Sequence, residues 1–277
     1  MTRIFGAVIL LLILAVPVII GPAWVFFAVA QIVILICLYE FYRVSLGKDA
    51  KALGWIAWTG VIPVMWLCFY SNFTILYYII GLVSLIIIPA GLYLFEKGKA
   101  SAKDVAFTLA GIIYPAGLLC FWILVRGGID GKFWMIFGLL CTFISDAGAY
   151  YVGKNFGRHN IAPRLSPKKT WEGLIGGITI SIIAASIFGG LYTMFSNLWP
   201  TLFHPLEGCY PVWILAILGG SITILGLMGD LTASMFKREF NVKDMGHLIP
   251  GHGGMLDRMD GIIPVGVALY LVILVVG

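Results

Sequence analysis

The segment between Ser234 and Asp260 combines side chains that suit phosphate with side chains that suit a metal ion. It reads SMFKREFNVKDMGHLIPGHGGMLDRMD and lies between two strongly apolar stretches. Its cations, which suit phosphate oxygens, are Lys237, Arg238, Lys243 and Arg258. Asp257 and Asp260 stand at positions i and i+3, so in a helix they share one face and can hold a divalent cation. The combination indicates phosphoryl-group chemistry.

Polar residues elsewhere in the carboxyl-terminal half extend this pattern. Asp146 lies in the run SDAGAYYVGKNFGR, and Asp230 ends another apolar stretch. Between them, the SPKK run from Ser166 to Lys169 reads as a basic turn. We predict that Thr170 caps a helix that carries Glu172 in its first turn. Two lysines beside the start of a helix suit an anionic phosphate.

Several of these features also have plainer interpretations. Taken singly, Asp257 or Asp260 could be a helix-capping carboxylate. Arg158 and Arg164 fit contacts with lipid headgroups. His252 lies in a Gly-His-Gly-Gly turn, where a ligand contact competes with a purely structural turn because glycines allow close approach of the backbone. No His or Cys cluster has zinc-like spacing, and no Ser-His-Asp arrangement or Walker-type loop occurs.

Composition identifies the elements that must position these residues. With 61% hydrophobic and 11% charged residues and a mean hydropathy of +1.01, the chain is predicted to be an all-α, polytopic integral membrane protein. The five cysteines show no paired spacing and read as small buried hydrophobes. A span needs ~20 apolar residues, and about nine segments qualify. They are 4–20, 22–43, 52–70, 73–95, 105–125, 132–152, 173–197, 211–229 and 260–276.

The placement of Lys and Arg predicts the orientation of these spans. Nine spans put 16 cations on one side and only Arg126 and Lys132 on the other. The positive-inside rule then makes the amino terminus cytoplasmic. Residues 1–130 are predicted to form a scaffold of helices, and residues 131–277 to carry the cytoplasmic-facing site. Four aspartates then lie at the cytoplasmic ends of three helices, where a carboxylate is costly unless it is paired, hydrated or metal-bound.

The same residues resemble a known family, the phosphatidate cytidylyltransferases, also called CDP-diacylglycerol synthases. The resemblance covers about residues 140–265 and includes Asp146 in SDAGAYYVGKNFGR, the SPKKTWEG run, Gly229-Asp230-Leu231 and the segment from Ser234 to Asp260. Two positions depart from the pattern: Ala233 stands where relatives often carry Glu, and Gly261 where they often carry Ser.

The resemblance implies transfer of CMP from CTP to phosphatidic acid, giving CDP-diacylglycerol and pyrophosphate, in the cell (inner) membrane. It implies Mg²⁺, with two cations per site, held by Asp230, Asp257 and Asp260 with Asp146 as a further partner. The implied catalytic residues are Asp146, Lys168, Lys169, Asp230, Asp257 and Asp260. The implied substrate-binding residues are Ser166, Lys237, Arg238, Lys243, Asp244, His252, Gly253, Gly254 and Arg258. Partners would be CTP, phosphatidic acid, membrane lipids and a second copy in a homodimer, with no nucleic acid.

Two other function classes also use membrane carboxylates. A CDP-alcohol phosphotransferase would carry a denser set of aspartates along adjoining helical turns than this sequence has. A transporter would place its acids near the membrane midplane on broken helices. The carboxylates here are instead predicted at the cytoplasmic margin, beside cations that suit phosphate.

Overall fold

The computed structural model describes residues 21–47, 50–70, 74–198, 206–208, 210–248 and 253–276, and these are mostly helical. The helices are α1 (Ala23–Ser45), α2 (Lys51–Tyr70), α3 (Thr74–Glu96), α4 (Ala102–Gly111), α5 (Leu118–Gly127), α6 (Gly131–Phe156), α7 (Trp171–Leu198), α8 (Val212–Glu239), α9 (Leu256–Met259) and α10 (Ile263–Val276). A π-helical turn, Ile112–Gly117, joins α4 to α5 and contains Pro115, which has no N–H to donate. The strands β1 (Asn160–Ala162) and β2 (Ser166–Thr170) form an antiparallel hairpin.

Helix length and composition confirm an all-α polytopic membrane protein. Among the described residues, six helical stretches are long and apolar enough to cross a membrane. Two shorter apolar stretches, Val83–Glu96 and Ile263–Val275, accompany them. Every predicted segment from 22–43 onward overlaps one of the helices. The predicted segment 4–20 lies outside the described residues, so the count of nine spans stays a prediction.

The chain divides into two compact units, and the first comprises residues 1–127 and 237–259. Phe240 attaches the later segment to the amino-terminal helices of this unit. Its ring packs edge-on against Phe41 of α1 and Phe107 of α4, at centroid distances of 6.5 and 4.9 Å. The Tyr42 hydroxyl donates to the carbonyl of Thr108 at 2.7 Å, which ties α1 to α4. The first unit therefore contains the amino-terminal helices together with part of the polar segment that follows α8.

The second unit comprises residues 128–236 and 260–277. Its helices α6 and α7 approach closely through glycine, because a Cβ on Gly153 would lie 3.5 Å from the Cα of Gly173. Such close approach through small residues is typical of helix packing in membranes. The Ser181 hydroxyl of α7 donates to the Gly219 carbonyl of α8 at 2.7 Å. These contacts fix the helices that flank the hairpin.

The structure corrects three local predictions. The Ser166–Lys169 run is part of strand β2 and not a turn; the turn comes earlier, at residues 163–165. Helix α8 does not end at Asp230 but continues to Glu239, because good helix formers follow the apolar stretch. Asp257 lies in the one-turn helix α9, whereas Asp260 lies in a turn before α10, so the two do not share a continuous helix.

Candidate active site

The first group of predicted residues lies in the second unit and is called the Lys169 cluster; its members are Lys169, Asp146, Asp230 and Asp260. The Lys169 Nζ contacts Asp230 Oδ2 at 2.7 Å, and both side chains keep about a third of their surface exposed (33% and 27%). The charges of Asp146 and Asp260 also act on Lys169. Backbone packing brings Asp260 here, since a Cβ on Gly229 would collide with the Asp260 carbonyl oxygen. Three of the four predicted metal carboxylates are therefore grouped around one lysine.

Electrostatics keep Lys169 protonated. Burial alone would lower the pKa of Lys169, but the ion pair with Asp230 and the charges of Asp146 and Asp260 raise it above its ordinary value. At neutral pH the side chain is therefore a fixed cation. It can therefore bind an anionic oxygen.

A cavity of about 690 Å³ opens beside this cluster within the second unit. Its lining combines the polar residues Asp146, Lys168 and Lys169 with apolar and small residues of α6, α7 and α8. Tyr150 and Leu174 are among the apolar contributors. A cavity that joins cations and carboxylates to apolar walls suits a ligand with a charged phosphate part and an apolar part.

The hairpin reaches α7 through a capped helix start. Thr170 Oγ1 accepts a hydrogen bond from the Gly173 N–H at 3.2 Å, which confirms the predicted cap. Glu172 accepts from the N–H groups of Arg158 and His159 at 3.0 and 3.2 Å, and its Oε1 lies 2.6 Å from His159 Nδ1. These bonds tie the start of the hairpin to the start of α7. Because Lys169 directly precedes the capping residue, its place relative to the helix is fixed.

The second group lies in the first unit and is called the Asp257 cluster; it comprises Asp257, Lys237, Asp244 and the backbone at Met245 and Gly254. Asp257 Oδ1 accepts from Lys237 Nζ at 3.0 Å. Its Oδ2 accepts from the N–H groups of Met245 at 2.8 Å and Gly254 at 3.0 Å. The Asp257 side chain is only 4% exposed, so its charge is compensated almost entirely by these three donors.

Gly253 allows two carboxylates to approach its backbone. Its φ is +82°, which disfavours any side chain. A Cβ there would lie 3.1 Å from Asp257 Oδ2 and 3.2 Å from Asp244 Oδ1. The predicted Gly253-Gly254 turn thus acts by letting the chain close over Asp257.

The remaining predicted residues are placed as follows. Lys168, Arg238, Lys243 and Arg258 are exposed, and Ser166 is half-buried on β2. His252 lies outside the described residues. Their roles in substrate binding stay predictions.

Sequence reasoning overlooked Glu40. This buried carboxylate of α1 accepts from the N–H groups of Met255 and Leu256 at 3.1 and 2.9 Å. A signal was available, since Glu40 is the only acidic residue in a largely apolar helix. An ionisable residue in such a segment is a functional candidate by default.

The donor chemistry of the Lys169 cluster fits a hard divalent cation. Its three carboxylates face one lysine, leaving an excess of negative charge that such a cation would balance. As they stand, no three His, Cys, Asp or Glu side chains within the described ranges are grouped closely enough to hold a metal ion. Asp257 differs, because it already accepts hydrogen bonds at both oxygens.

Comparisons with known proteins identify similar chains. A family model described as "Cytidylyltransferase family" matches residues 1–276. A phosphatidate cytidylyltransferase from Staphylococcus aureus (strain COL) is 31% identical over 252 residues, covering 91% of each chain. Another from Staphylococcus epidermidis is 29% identical over 258 residues, covering 93% of each chain. One from Mycobacterium bovis is 40% identical over 148 residues, which span 52% of this chain and 42% of the relative.

Proposed function

The chain belongs to the cytidylyltransferase family, and on this premise we propose that it transfers CMP from CTP to phosphatidic acid. The products are CDP-diacylglycerol and pyrophosphate. The reaction belongs to phospholipid biosynthesis and suits an enzyme that is itself embedded in the membrane. Both substrates are phosphates, so the site must bind and align anions of like charge.

The observation that carries this proposal is the 690 Å³ cavity lined by Lys168, Lys169 and Asp146. Cations in a partly apolar cavity suit the phosphate and the adjoining apolar part of a lipid substrate. The raised pKa of Lys169 supports this role, since the side chain remains charged at neutral pH.

The reaction needs no covalent catalyst. An oxygen of the lipid phosphate attacks the α-phosphorus of CTP, the new P–O bond forms, and the bond to the β-phosphate oxygen breaks to release pyrophosphate. The lipid phosphate is already an anion, so no residue has to remove a proton from it. The residues of this chain hold the two anions in line and compensate their charge, which accounts for most catalysis in such transfers.

Mg²⁺ would supply further charge compensation at the transferred phosphate and orient its oxygens. We propose that Asp146, Asp230, Asp260 and Asp257 hold it, with two cations per site. Lys168, Lys169, Lys237, Arg238, Lys243 and Arg258 then divide between the triphosphate and the lipid phosphate. Ser166, Asp244, His252, Gly253 and Gly254 complete the proposed substrate-binding set.

The direct test is to incubate the purified protein with CTP labelled in its cytidine and with phosphatidic acid in detergent micelles. Appearance of label in the lipid fraction, together with pyrophosphate release, is the expected result. A second incubation, with CDP-diacylglycerol and an alcohol acceptor in place of CTP and phosphatidic acid, gives a product only if the protein is a CDP-alcohol phosphotransferase. Absence of CMP transfer at saturating CTP, lipid and Mg²⁺ would overturn the proposal.

We further propose nine spans, a cytoplasmic amino terminus and a site that faces the cytoplasm of the inner membrane, where CTP is found. The distribution of 16 cations on one side and two on the other supports this orientation. A homodimer is proposed from the family alone.

Cysteine labelling tests the orientation. Glu239 is exposed at the end of α8, so Glu239→Cys in a cysteine-free background gives a reporter. Neighbouring Asn241 is less suitable because its φ is +54°. We expect an impermeant thiol reagent to label the reporter only after the membrane is opened, and the single native Cys209 in a matched variant to be labelled from outside. Labelling of the Glu239→Cys site in intact cells would contradict the proposed topology.

A further inference from the structure

Glu40 is a buried carboxylate that the reaction scheme above leaves without a role. It is 4% exposed and is the only acidic residue of α1. Burying an ionised carboxylate is costly unless hydrogen bonds and charges compensate it. Its retention in an apolar helix therefore requires a structural or functional reason.

The contacts of Glu40 lie more than 200 residues away in sequence. Its Oε1 accepts from Met255 N–H at 3.1 Å and its Oε2 from Leu256 N–H at 2.9 Å. These donors stand at the start of α9, the one-turn helix that carries Asp257. Because each carboxylate oxygen takes one of two successive N–H groups, the side chain fixes both the position and the direction of this turn.

Two glycines make room for the carboxylate. A Cβ on Gly246 or on Gly254 would collide with the Glu40 carboxylate, so the backbone at both positions closes against it. Asp257 binds the same two chain segments, through Met245 N–H and Gly254 N–H. The two carboxylates thus join residues 245–246 to residues 254–257, Glu40 from the side of α1 and Asp257 from within the turn.

We propose that Glu40 is a positioning residue for the transfer reaction: it holds the turn at residues 254–257 so that Asp257 and its partner Lys237 are presented to the substrates. This role rests on the proposed function, since it concerns the same reaction. Glu40 itself accepts hydrogen bonds from two backbone N–H groups and does not contact the reacting atoms in this scheme. The amino-terminal helices, which carry none of the predicted site residues, thereby become part of the active-site framework.

Glu40→Gln is the sharpest probe of this role. The amide keeps the size of the side chain but has one acceptor oxygen, and its NH₂ group opposes one of the two backbone donors. Partners that orient functional side chains typically contribute 10–100-fold to activity. We expect kcat/KM to fall at least about tenfold, with a several-fold rise in KM for CTP or in the Mg²⁺ concentration for half-maximal rate. A smaller folded fraction would lower kcat but would leave both of these concentrations unchanged.

Thr108→Val is the matched control. Thr108 is fully buried in the same unit, and its hydroxyl donates to the Asp104 carbonyl, away from residues 245–257. We expect this variant to lose stability without a change in KM or in the Mg²⁺ requirement.

Gly246→Ala is a second disruption, because the added methyl group would displace the Glu40 carboxylate from the loop side. It should reproduce the kinetic change of Glu40→Gln.

A second measurement does not depend on activity. Hydrogen exchange of the peptide that contains Met255 and Leu256, followed by mass spectrometry in micelles, should become faster in Glu40→Gln and stay unchanged in Thr108→Val. If the wild-type protein transfers no CMP while exchange changes as expected, the proposed function fails but the positioning contact stands. If exchange, KM and Mg²⁺ requirement in Glu40→Gln and Gly246→Ala all match the wild-type protein, the positioning role is wrong.

Discussion

The Lys169 cluster and the Asp257 cluster use the same residue types in opposite ways. In the Lys169 cluster a partly exposed lysine meets more carboxylates than it can neutralise, and the ion-paired side chains remain about one-third exposed. In the Asp257 cluster one carboxylate, 4% exposed, accepts from one lysine and two backbone N–H groups. The first arrangement leaves charge available for a ligand. In the second, donors from the protein already contact both carboxylate oxygens and hold the local backbone in place.

The difference indicates that the two clusters serve different purposes, one in binding ligands and the other in fixing the backbone. Partly exposed, undercompensated charges can exchange partners when a substrate or cation binds, because ion pairs that solvent reaches contribute little net stability. Buried, saturated charges are costly to disturb, so they are better suited to fixing a loop. Substitutions should therefore separate the clusters by their effects on stability as well as on rate.

The largest effect is expected for Asp257→Ala. Its removal should abolish turnover and also lower the free energy of unfolding by ~3–5 kcal/mol, because Lys237 loses its buried partner and two N–H groups lose their acceptor. CMP transfer and thermal unfolding in detergent measure the two effects. Residual activity above about a tenth of wild type, or ~1.4 kcal/mol in the barrier, would show that Asp257 is not required.

Asp230→Ala and Asp260→Ala should abolish turnover with little change in stability. The Asp230 ion pair is partly exposed, and such pairs typically contribute about 1 kcal/mol or less. A melting temperature close to wild type in an inactive Asp230→Ala protein is the expected result. A stability loss as large as that of Asp257→Ala would remove the contrast between the two clusters.

Substitutions of the hairpin lysines should have intermediate effects. Neutralising Lys168 or Lys169 should lower kcat/KM, and arginine should restore it only in part because its planar fork differs from a compact ammonium group. Lys169→Ala should be the more severe, since Lys169 contacts Asp230 and Lys168 is exposed. Unchanged kinetics in the double alanine variant would reassign both lysines to lipid headgroups.

The smallest effect concerns the protonation of Lys169. Its raised pKa means that the amine stays protonated as pH rises past the ordinary lysine value of about 10.4, and its ion-pair stabilisation is lost only above that. Asp230→Asn removes the largest contribution that raises the pKa and leaves burial, which lowers it. With divalent cations removed by a chelator, an amine-reactive reagent should therefore modify Lys169 at lower pH in Asp230→Asn than in the wild-type protein. An identical pH dependence would contradict the coupling.

The helices were predictable because their signal is local. Each apolar stretch from 22–43 onward overlaps a helix, since ~20 apolar residues carry that information in themselves. The end of α8 was misplaced because hydropathy falls at Asp230 while helix propensity continues to Glu239. The hairpin was missed because Pro167 argues for a turn, although proline is tolerated in a short hairpin with exposed edges.

The candidate site was only partly predictable for a different reason. The charged side chains of Lys169, Asp230 and Asp257 predicted phosphate and metal binding. Which residues they pair with depends on packing. That Lys169 pairs with Asp230, and Lys237 with Asp257, follows from no spacing rule. Glu40 shows the limit most clearly, because its bonds to Met255 and Leu256 join residues that no local pattern relates.

Strand β2 makes the two neighbouring lysines unequal. Successive residues of a strand point to opposite faces, and of the two lysines that line the cavity it is Lys169 that pairs with Asp230, while Lys168 is exposed. A residue inserted between Lys169 and Thr170 would move Lys169 to the register that Lys168 now has relative to the cap of α7, whereas a length change in the turn at 163–165 would not. Chains that share this site should therefore vary in length at the turn and keep a constant distance from the lysine pair to the helix.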